Sequence, residues 1–234
     1  MIVGLYFAVV ILGYLLGSIP FGLLIARLLA KKDVRQVGSG KIGMTNVMRA
    51  AGRKAAVVSL LLDMGKAALA VIFAGLIFQN YDTVALIPFT HIESARMLAA
   101  LAAIAGHTWS VFLRFKGGRG VATFLGGLFA LYWPAAIAGG ILMVFIGYIT
   151  KYMSLGSIIG AVTAFIILMS LNVTKTSFLL SDYPAFEYVI FAMIGAIFIY
   201  VMHRDNILRL WSGTERKLGD KTKAKTAPSS SHPQ

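Results

Sequence analysis

The chain contains no cysteine. That absence removes disulfides, thiolate metal ligation and a cysteine nucleophile together. Charge is also scarce. Only 13% of the 234 residues are Asp, Glu, Lys or Arg, against about 25% in a typical soluble domain. Acidic residues are the scarcer sign, 9 against 22 Lys and Arg. In their place stand 58% hydrophobic residues and a mean hydropathy of +0.80. A chain this apolar cannot cover itself in water, so it is expected in a bilayer. The formal net charge of +13 is distributed unevenly, and its placement is informative.

The first apolar run, Ile2 to Ala26, has 25 residues without a charge. About 20 suffice to cross the hydrocarbon core. A cleaved signal peptide would open with Lys or Arg and carry a shorter apolar stretch. No basic residue precedes Arg27, so a retained membrane helix is expected, bent near Gly17, Ser18 and Pro20. Further runs cover Ala55 to Phe78, Met97 to Leu113, Val121 to Ile149, Tyr152 to Leu171 and Tyr183 to Met202. Between them, Arg27 to Lys54 holds eight basic residues and one Asp, and Arg114 to Arg119 holds three basic residues. Lys151 stands alone, and the stretch from His203 onward is also net basic. Asn80 to Glu93 and Asn172 to Glu187 are net acidic. The positive-inside rule places the basic regions in the cytoplasm and the acidic ones outside.

Arg119 and Lys151 then lie on one side, so the chain between them crosses an even number of times. Val121 to Ile149 has 29 residues, whereas two full crossings need roughly 40. Two short helices meeting at Tyr132, Trp133 and Pro134 satisfy both constraints if the pair is packed among other helices, which shield its backbone from lipid. The expected fold class is an all-α integral membrane protein: a polytopic bundle of about seven membrane helices, five long and two short. Its N-terminus is expected outside and its C-terminus in the cytoplasm. Tyr132 and Trp133 are expected at the outer interface, where such rings are favoured. Residues 1–218 form the expected membrane-embedded domain, and 219–234, polar and containing Pro and Ser, a disordered cytoplasmic tail.

Three of the inward segments carry chemistry. The first is GSGKIGMTNVMR, Gly38 to Arg49. Gly38 and Gly40 free the backbone around Ser39 to present N–H groups. On a helix, Arg49 lies one turn from Thr45 and Asn46 on the same face. A hydroxyl, an amide and a guanidinium suit an oxyanion. The second is KGGRGVAT, Lys116 to Thr123. Its glycines can wrap N–H groups around a phosphate at the start of an apolar helix, although it lacks the Walker A spacing. The third is HRDNILRLWSGTERK, His203 to Lys217. His203 and Asn206 share a helix face, and Ile207, Leu210 and Trp211 form an apolar face suited to the headgroup layer. His107 is read as a hydrogen-bonded structural histidine. Arg204, Arg209, Arg216 and Lys217 are read as interfacial anchors.

Asp63 and Lys66 lie inside an apolar run, where each charge costs about 2.5–3.5 kcal/mol on insertion scales. At i, i+3 they can neutralise one another. They are read as an ion pair bracing the cytoplasmic site, with a polar ion path as the alternative. Histidines and acids are too few and scattered for a metal site, so metal-independent chemistry is expected. A transporter for anions would bury its site near the midplane. Here the anion-binding groups gather at the interface, where a soluble phosphorylated molecule meets a lipid. A carrier for phosphorylated anions and a structural protein binding anionic lipid remain the rival readings.

In order and spacing these three segments, the second extended upstream to GHTWSVFLRFKGGRGVAT, resemble the cytoplasmic motifs of the bacterial acyl-phosphate:glycerol-3-phosphate acyltransferases, the integral-membrane PlsY family. The resemblance runs from about Gly13 to Lys217. Three positions depart from the family pattern: Lys41 stands where Asn is usual, Met44 where Ala is usual, and Arg119 where Lys is usual. The resemblance implies transfer of a fatty acyl group from acyl phosphate to the 1-hydroxyl of sn-glycerol 3-phosphate, giving lysophosphatidic acid and phosphate at the inner face of the cytoplasmic membrane. By motif match, Ser39, Thr45, Asn46 and Arg49, with Gly38 and Gly40 shaping their loop, bind and orient phosphate. Lys116, Gly117, Gly118 and Arg119, with Thr123 behind them, cradle the second phosphate and the leaving group. His203 and Asn206 position glycerol phosphate, and Glu215 anchors the third segment. Ser39, Arg49, His203 and Asn206 are the expected catalytic set, with Asp63 and Lys66 structural beside Glu215. His203 is a candidate base, with a phosphate oxygen of the donor as the alternative proton acceptor. The expected partners are the two substrates, membrane lipid and the soluble enzyme that forms acyl phosphate. No cofactor and no nucleic acid are expected.

Overall fold

The structure is a computed structural model and describes residues 2–81, 91–178 and 182–220. The regular elements among these residues are helical: α1 (Ile2–Ser18), α2 (Phe21–Ala30), α3 (Met44–Phe78), α4 (His91–Thr108), α5 (Val121–Thr150), α6 (Met153–Val173), α7 (Phe186–Met202) and α8 (Arg204–Trp211). Single 3-10 turns lie at Val34–Gln36 and Val111–Leu113. By length and composition five stretches can cross a membrane, and α7 with α8, bent by 58°, makes a sixth. Large apolar side chains such as Phe7, Leu61, Ile72, Leu76, Ile141 and Ile166 remain exposed on the helix surfaces. In water that would be unfavourable; in hydrocarbon it is the expected lipid-facing surface.

The breaks matter more than the count. The first apolar run divides between Ser18 and Phe21, where Pro20 supplies no backbone N–H. α3 is interrupted at Gly52, whose φ of 86° and ψ of 178° are not helical. A side chain rarely adopts that φ, so the glycine sets the break. The short piece before it carries Thr45, Asn46 and Arg49, and the long apolar piece follows it. α5 is interrupted at Tyr132 (φ −153°, ψ 89°), with Pro134 just beyond.

α5 enters the bundle and returns. Val121 and Ala122, at its start, line one cavity together with Met143 from its second half. Tyr132 and Trp133 instead line a different cavity with Glu93, Asp182 and Tyr188. The two short helices expected from the parity argument are therefore the two halves of α5, beside five long ones. The returning half packs on α6 through small residues that bring the backbones close: a Cβ on Gly139 would stand 2.7 Å from the Gly160 carbonyl oxygen. Tyr132 is 5% exposed, in the core cluster with Leu128, Ala161, Tyr188 and Phe191, so its ring packs among neighbouring helices. The expected disordered tail falls almost wholly on residues 221–234, outside the described residues.

Inside α3, Asp63 and Lys66 form a buried ion pair at 2.7 Å. The Lys66 ammonium also donates to the Ile19 carbonyl at 2.8 Å, an oxygen at the α1–α2 break, and lies 3.1 Å from His107 Nδ1. The pair thus joins α3, α4 and the break at Pro20, as a brace does. Replacing Lys66 with Met leaves Asp63 as an unpaired buried charge, which costs about 3–5 kcal/mol. A marked fall in melting temperature in detergent is expected, and Asp63→Asn together with Lys66→Met should recover part of it.

Candidate active site

One cavity, about 890 Å³ including its open mouth, collects groups from all three motif-bearing segments. The first contributes Ser39, Lys41, Thr45, Asn46 and Arg49; the second, Arg119; the third, His203, Asn206, Glu215 and Arg216. Asp63 and His107 also line it, as do Ser154 and Ser157 of α6.

The first segment is organised by Asn46. Its side-chain amide donates to the carbonyls of Val34 (2.8 Å), Val37 (2.9 Å) and Lys41 (2.8 Å), and its Oδ1 accepts the Ser39 N–H at 3.2 Å. Asn46 is 3% exposed. It therefore holds the loop rather than presenting its amide to a ligand. Gly38 and Gly40 have φ values of 55° and 72°, which glycine alone adopts readily. They shape the turn but do not line the cavity. The Ser39 N–H goes to Asn46 and the Gly40 N–H to the Val37 carbonyl. The backbone donors expected for a phosphate are thus engaged within the loop. What faces the cavity is the Ser39 side chain, with Thr45 and Arg49.

The second segment also differs from its expected cradle. The Gly117 N–H donates to the Thr108 carbonyl at 2.9 Å and the Gly118 N–H to the His107 carbonyl at 3.0 Å, closing the end of α4. Helix ends leave such carbonyls without intrahelical partners, and the loop supplies them. Gly117 and Gly118 are therefore packing residues here. Lys116 is exposed and outside the cavity lining, and Thr123 is buried with its hydroxyl donating to the Gly120 carbonyl at 2.9 Å. Of the second segment's expected ligand groups, Arg119 is the one brought into the cavity. A Cβ on Gly117 would stand 2.0 Å from the His107 carbonyl oxygen, which backbone cannot yield. Gly117→Ala is expected to cost about 1–3 kcal/mol of stability by overpacking and to displace Arg119, seen as a lower melting temperature together with reduced turnover.

In the third segment, α8 turns away from α7 at His203. His203 Nδ1 lies 2.7 Å from the Ile199 carbonyl oxygen. A carbonyl only accepts, so Nδ1 carries the proton and Nε2 is left as an acceptor. Burial and then the Arg119 guanidinium push the imidazole's pKa down to about 4. His203 is thus neutral near pH 7. Asn206 donates to Glu215 Oε1 at 2.6 Å, leaving its own Oδ1 buried without a partner. Glu215 also takes Ser154 Oγ at 2.9 Å and Arg209 Nε at 2.7 Å. Burial alone would raise the Glu215 pKa, but these three donors outweigh it and hold the group below its ordinary value. The carboxylate ties α6, α8 and the segment beyond into one unit.

Electrostatically the cavity is unbalanced. Among the described residues, Glu215 is matched by Arg209 and Asp63 by Lys66, while Arg49 and Arg119 have no carboxylate within ion-pair distance. Both are half-buried. Burial and then the neighbouring Arg209 charge lower the proton affinity of Arg119, against the opposing pull of Glu215 and Asp205. Sequence reasoning did not single out Lys41, Ser154 or Ser157 as cavity residues, and it took Arg216 for an anchor. The one signal at the serines was a pair of hydroxyls three residues apart on an apolar helix.

Comparison with known proteins agrees with this geometry. A family model described as glycerol-3-phosphate acyltransferase matches residues 7–213. Glycerol-3-phosphate acyltransferase 3 of Dehalococcoides mccartyi (strain CBDB1) is 48% identical over 226 residues, 95% of this chain and 100% of that protein. The glycerol-3-phosphate acyltransferase of Rhodopseudomonas palustris (strain BisB5) is 40% identical over 220 residues, 94% of this chain and 99% of that one. Among solved structures, PlsY (YgiH), an integral membrane glycerol 3-phosphate acyltransferase, aligns in its glycerol 3-phosphate form with a TM-score of 0.76 and 35% identity, covering 92% of this chain and 96% of that chain. Its lysophosphatidic acid form aligns with a TM-score of 0.74 and 34% identity, over 91% and 94%. Matches of this length take in the spans and the cavity residues from Ser39 to Asn206 alike, and the chain belongs to the glycerol-3-phosphate acyltransferase family of integral membrane proteins.

Proposed function

We propose that the chain transfers a fatty acyl group from acyl phosphate to the 1-hydroxyl of sn-glycerol 3-phosphate, releasing phosphate and leaving lysophosphatidic acid in the membrane. The observation that carries this reading is the pairing of unlike groups in one cavity. Arg49 and Arg119 lack carboxylate partners among the described residues, and His203 Nε2 and Asn206 Oδ1 are acceptors without an assigned donor. Guanidinium groups suit phosphate, and a pair of acceptors suits a polyol hydroxyl. The related PlsY structures are a glycerol 3-phosphate form and a lysophosphatidic acid form.

In this mechanism Ser39, Thr45 and Arg49 bind one phosphate, and Arg119 faces the other and the departing oxygen. His203 and Asn206 orient the attacking hydroxyl. The hydroxyl oxygen bonds to the acyl carbon, the bond from that carbon to the phosphate oxygen breaks, and inorganic phosphate departs. In this mechanism the proton passes to a phosphate oxygen of the donor, since burial and the adjacent Arg119 lower the proton affinity of the imidazole. Fixed cations aimed at developing negative charge supply the largest share of such catalysis, and juxtaposition of the reactants much of the rest. No nucleophilic side chain is required, because the mixed anhydride already carries a good leaving group.

The same reading places the protein in the bacterial cytoplasmic membrane with its N-terminus outside and the cavity opening to the cytoplasm, from the basic inward segments. There a soluble acyl-phosphate-forming enzyme supplies the donor. The test offers purified protein glycerol 3-phosphate with acyl phosphate, acyl-CoA or acyl carrier protein in turn. Turnover with acyl phosphate alone is expected; use of the thioesters alone would overturn the donor assignment. Substrate flux across sealed vesicles without acyl transfer would favour a carrier.

A further inference from the structure

We propose that Lys41 and Arg216 form a cationic collar at the cavity mouth that captures the water-soluble dianion, glycerol 3-phosphate, before the half-buried arginines below receive it. This rests on the acyl-transfer reading above and assigns the two residues a role in how one of its substrates arrives.

The basic residues Lys31, Lys32, Arg53 and Lys54 flank the membrane spans without lining the cavity, as anchoring charges do. Lys41 and Arg216 are equally exposed, yet both line the cavity. They come from different segments and stand on backbone that is tied down beneath them. The Lys41 carbonyl accepts from Asn46 at 2.8 Å. Arg216 follows Glu215, which is fixed by Ser154, Asn206 and Arg209. Two long side chains from different segments are thus carried on backbone that is held in place. Neither is in an ion pair among the described residues. Asp220 lies near the Arg216 lip, with its carboxylate accepting the Lys217 N–H at 2.7 Å.

The physics is that of a cleft with one sign of charge. Low-dielectric walls focus the field outward and raise the local concentration of an oppositely charged solute. The depth ordering is suited to a relay, with exposed cations at the rim and half-buried Arg49 and Arg119 beneath. The two substrates need this unequally. The acyl donor is held at the interface by its chain, whereas glycerol 3-phosphate must be drawn from dilute solution against water and competing ions. Exposed charges act over a Debye length of about 10 Å at 0.1 M salt, so the collar's contribution must fade as salt rises.

The test is steady-state kinetics in neutral detergent, with acyl phosphate saturating and glycerol 3-phosphate varied at low and high salt. K41Q and R216Q are each expected to raise KM for glycerol 3-phosphate by roughly three- to tenfold at low salt, to hold kcat within about twofold, and to flatten the rise of KM with salt. The conservative variants K41R and R216K should restore both. Titration calorimetry of glycerol 3-phosphate against wild type and variants, without donor, reads the same shift in Kd and needs no turnover. An unchanged KM and Kd with an unchanged salt slope would overturn the collar. So would a loss confined to kcat, or one that falls on the KM for acyl phosphate. A wild-type protein that binds glycerol 3-phosphate through the collar but transfers no acyl group would sink the acyl-transfer reading alone.

Discussion

Asn46→Asp is expected to lower kcat/KM by more than about a hundredfold, the scale on which a displaced positioning group is felt. The substitution changes one atom's chemistry in a buried place. In the native loop the Asn46 amide donates to the carbonyls of Val34, Val37 and Lys41. Aspartate has no donor, and it would set a carboxylate against three carbonyl oxygens at a site only 3% exposed. Both amide hydrogens are lost, and a carbonyl left buried without a donor costs about 1–3 kcal/mol. The loop from Val34 to Lys41 then has no reason to keep its turn. Ser39 and Lys41 leave the cavity with it, while the apolar bundle of α3 to α7 stays folded. Helical circular dichroism should therefore survive while turnover is lost. A variant with near wild-type kcat/KM would show that the loop is not held by Asn46. Asn46→Ala should be milder, because water can enter the space and serve the carbonyls.

The second large effect concerns His203. Removing the ring with His203→Ala is expected to cost about a hundredfold in kcat/KM, the scale on which a misplaced reactant is felt. His203→Gln, which keeps an acceptor, should cost less and act mainly on KM for glycerol 3-phosphate. A selective loss of kcat with unchanged KM would instead make the imidazole the base. The pH dependence gives an independent check. With a pKa pushed down to about 4 by burial and Arg119, His203 is neutral across the neutral range, and kcat/KM should show no limb near 6.5 that disappears in His203→Gln. Stability follows from the same displacement. An unfolded histidine takes up its proton near 6.5, whereas the folded one resists until about 4. Between those values the unfolded state binds more protons, so stability falls as pH falls through that window. His203→Gln should flatten the decline measured by thermal melting in detergent.

Much of the architecture was legible because it follows from solvent. An apolar run such as Ile2 to Ala26 has few ways to avoid water, and the basic stretches mark its flanks. The return of α5 at Tyr132 was legible for a topological reason: too few residues separate Arg119 from Lys151 for two full crossings. The structure agrees, with the Lys151 carbonyl accepting the Leu218 N–H at 2.7 Å beside the third segment. The break at Gly52 was less visible. A single glycine in a helical run is compatible with continuity, and only packing of the preceding piece against α2 and the loop decides otherwise. The burial of Tyr132 was likewise not visible, because helices distant in sequence cover the turn.

Residue types and spacing by themselves determined that this protein lives in a bilayer, that three basic segments share a side, and which motifs would meet there. Hydropathy and charge are properties of the chain, and they act whatever the final packing. Which donors remain free was decided by the tertiary structure. Gly117 and Gly118 carry the N–H groups of a phosphate loop but close the end of α4; Asn46 carries a ligand's amide but holds a turn; Lys116 stays outside while Arg119 points in. A hydrogen-bonding group has a small number of bonds to make, and only the folded neighbours determine whether a substrate or the protein itself receives them.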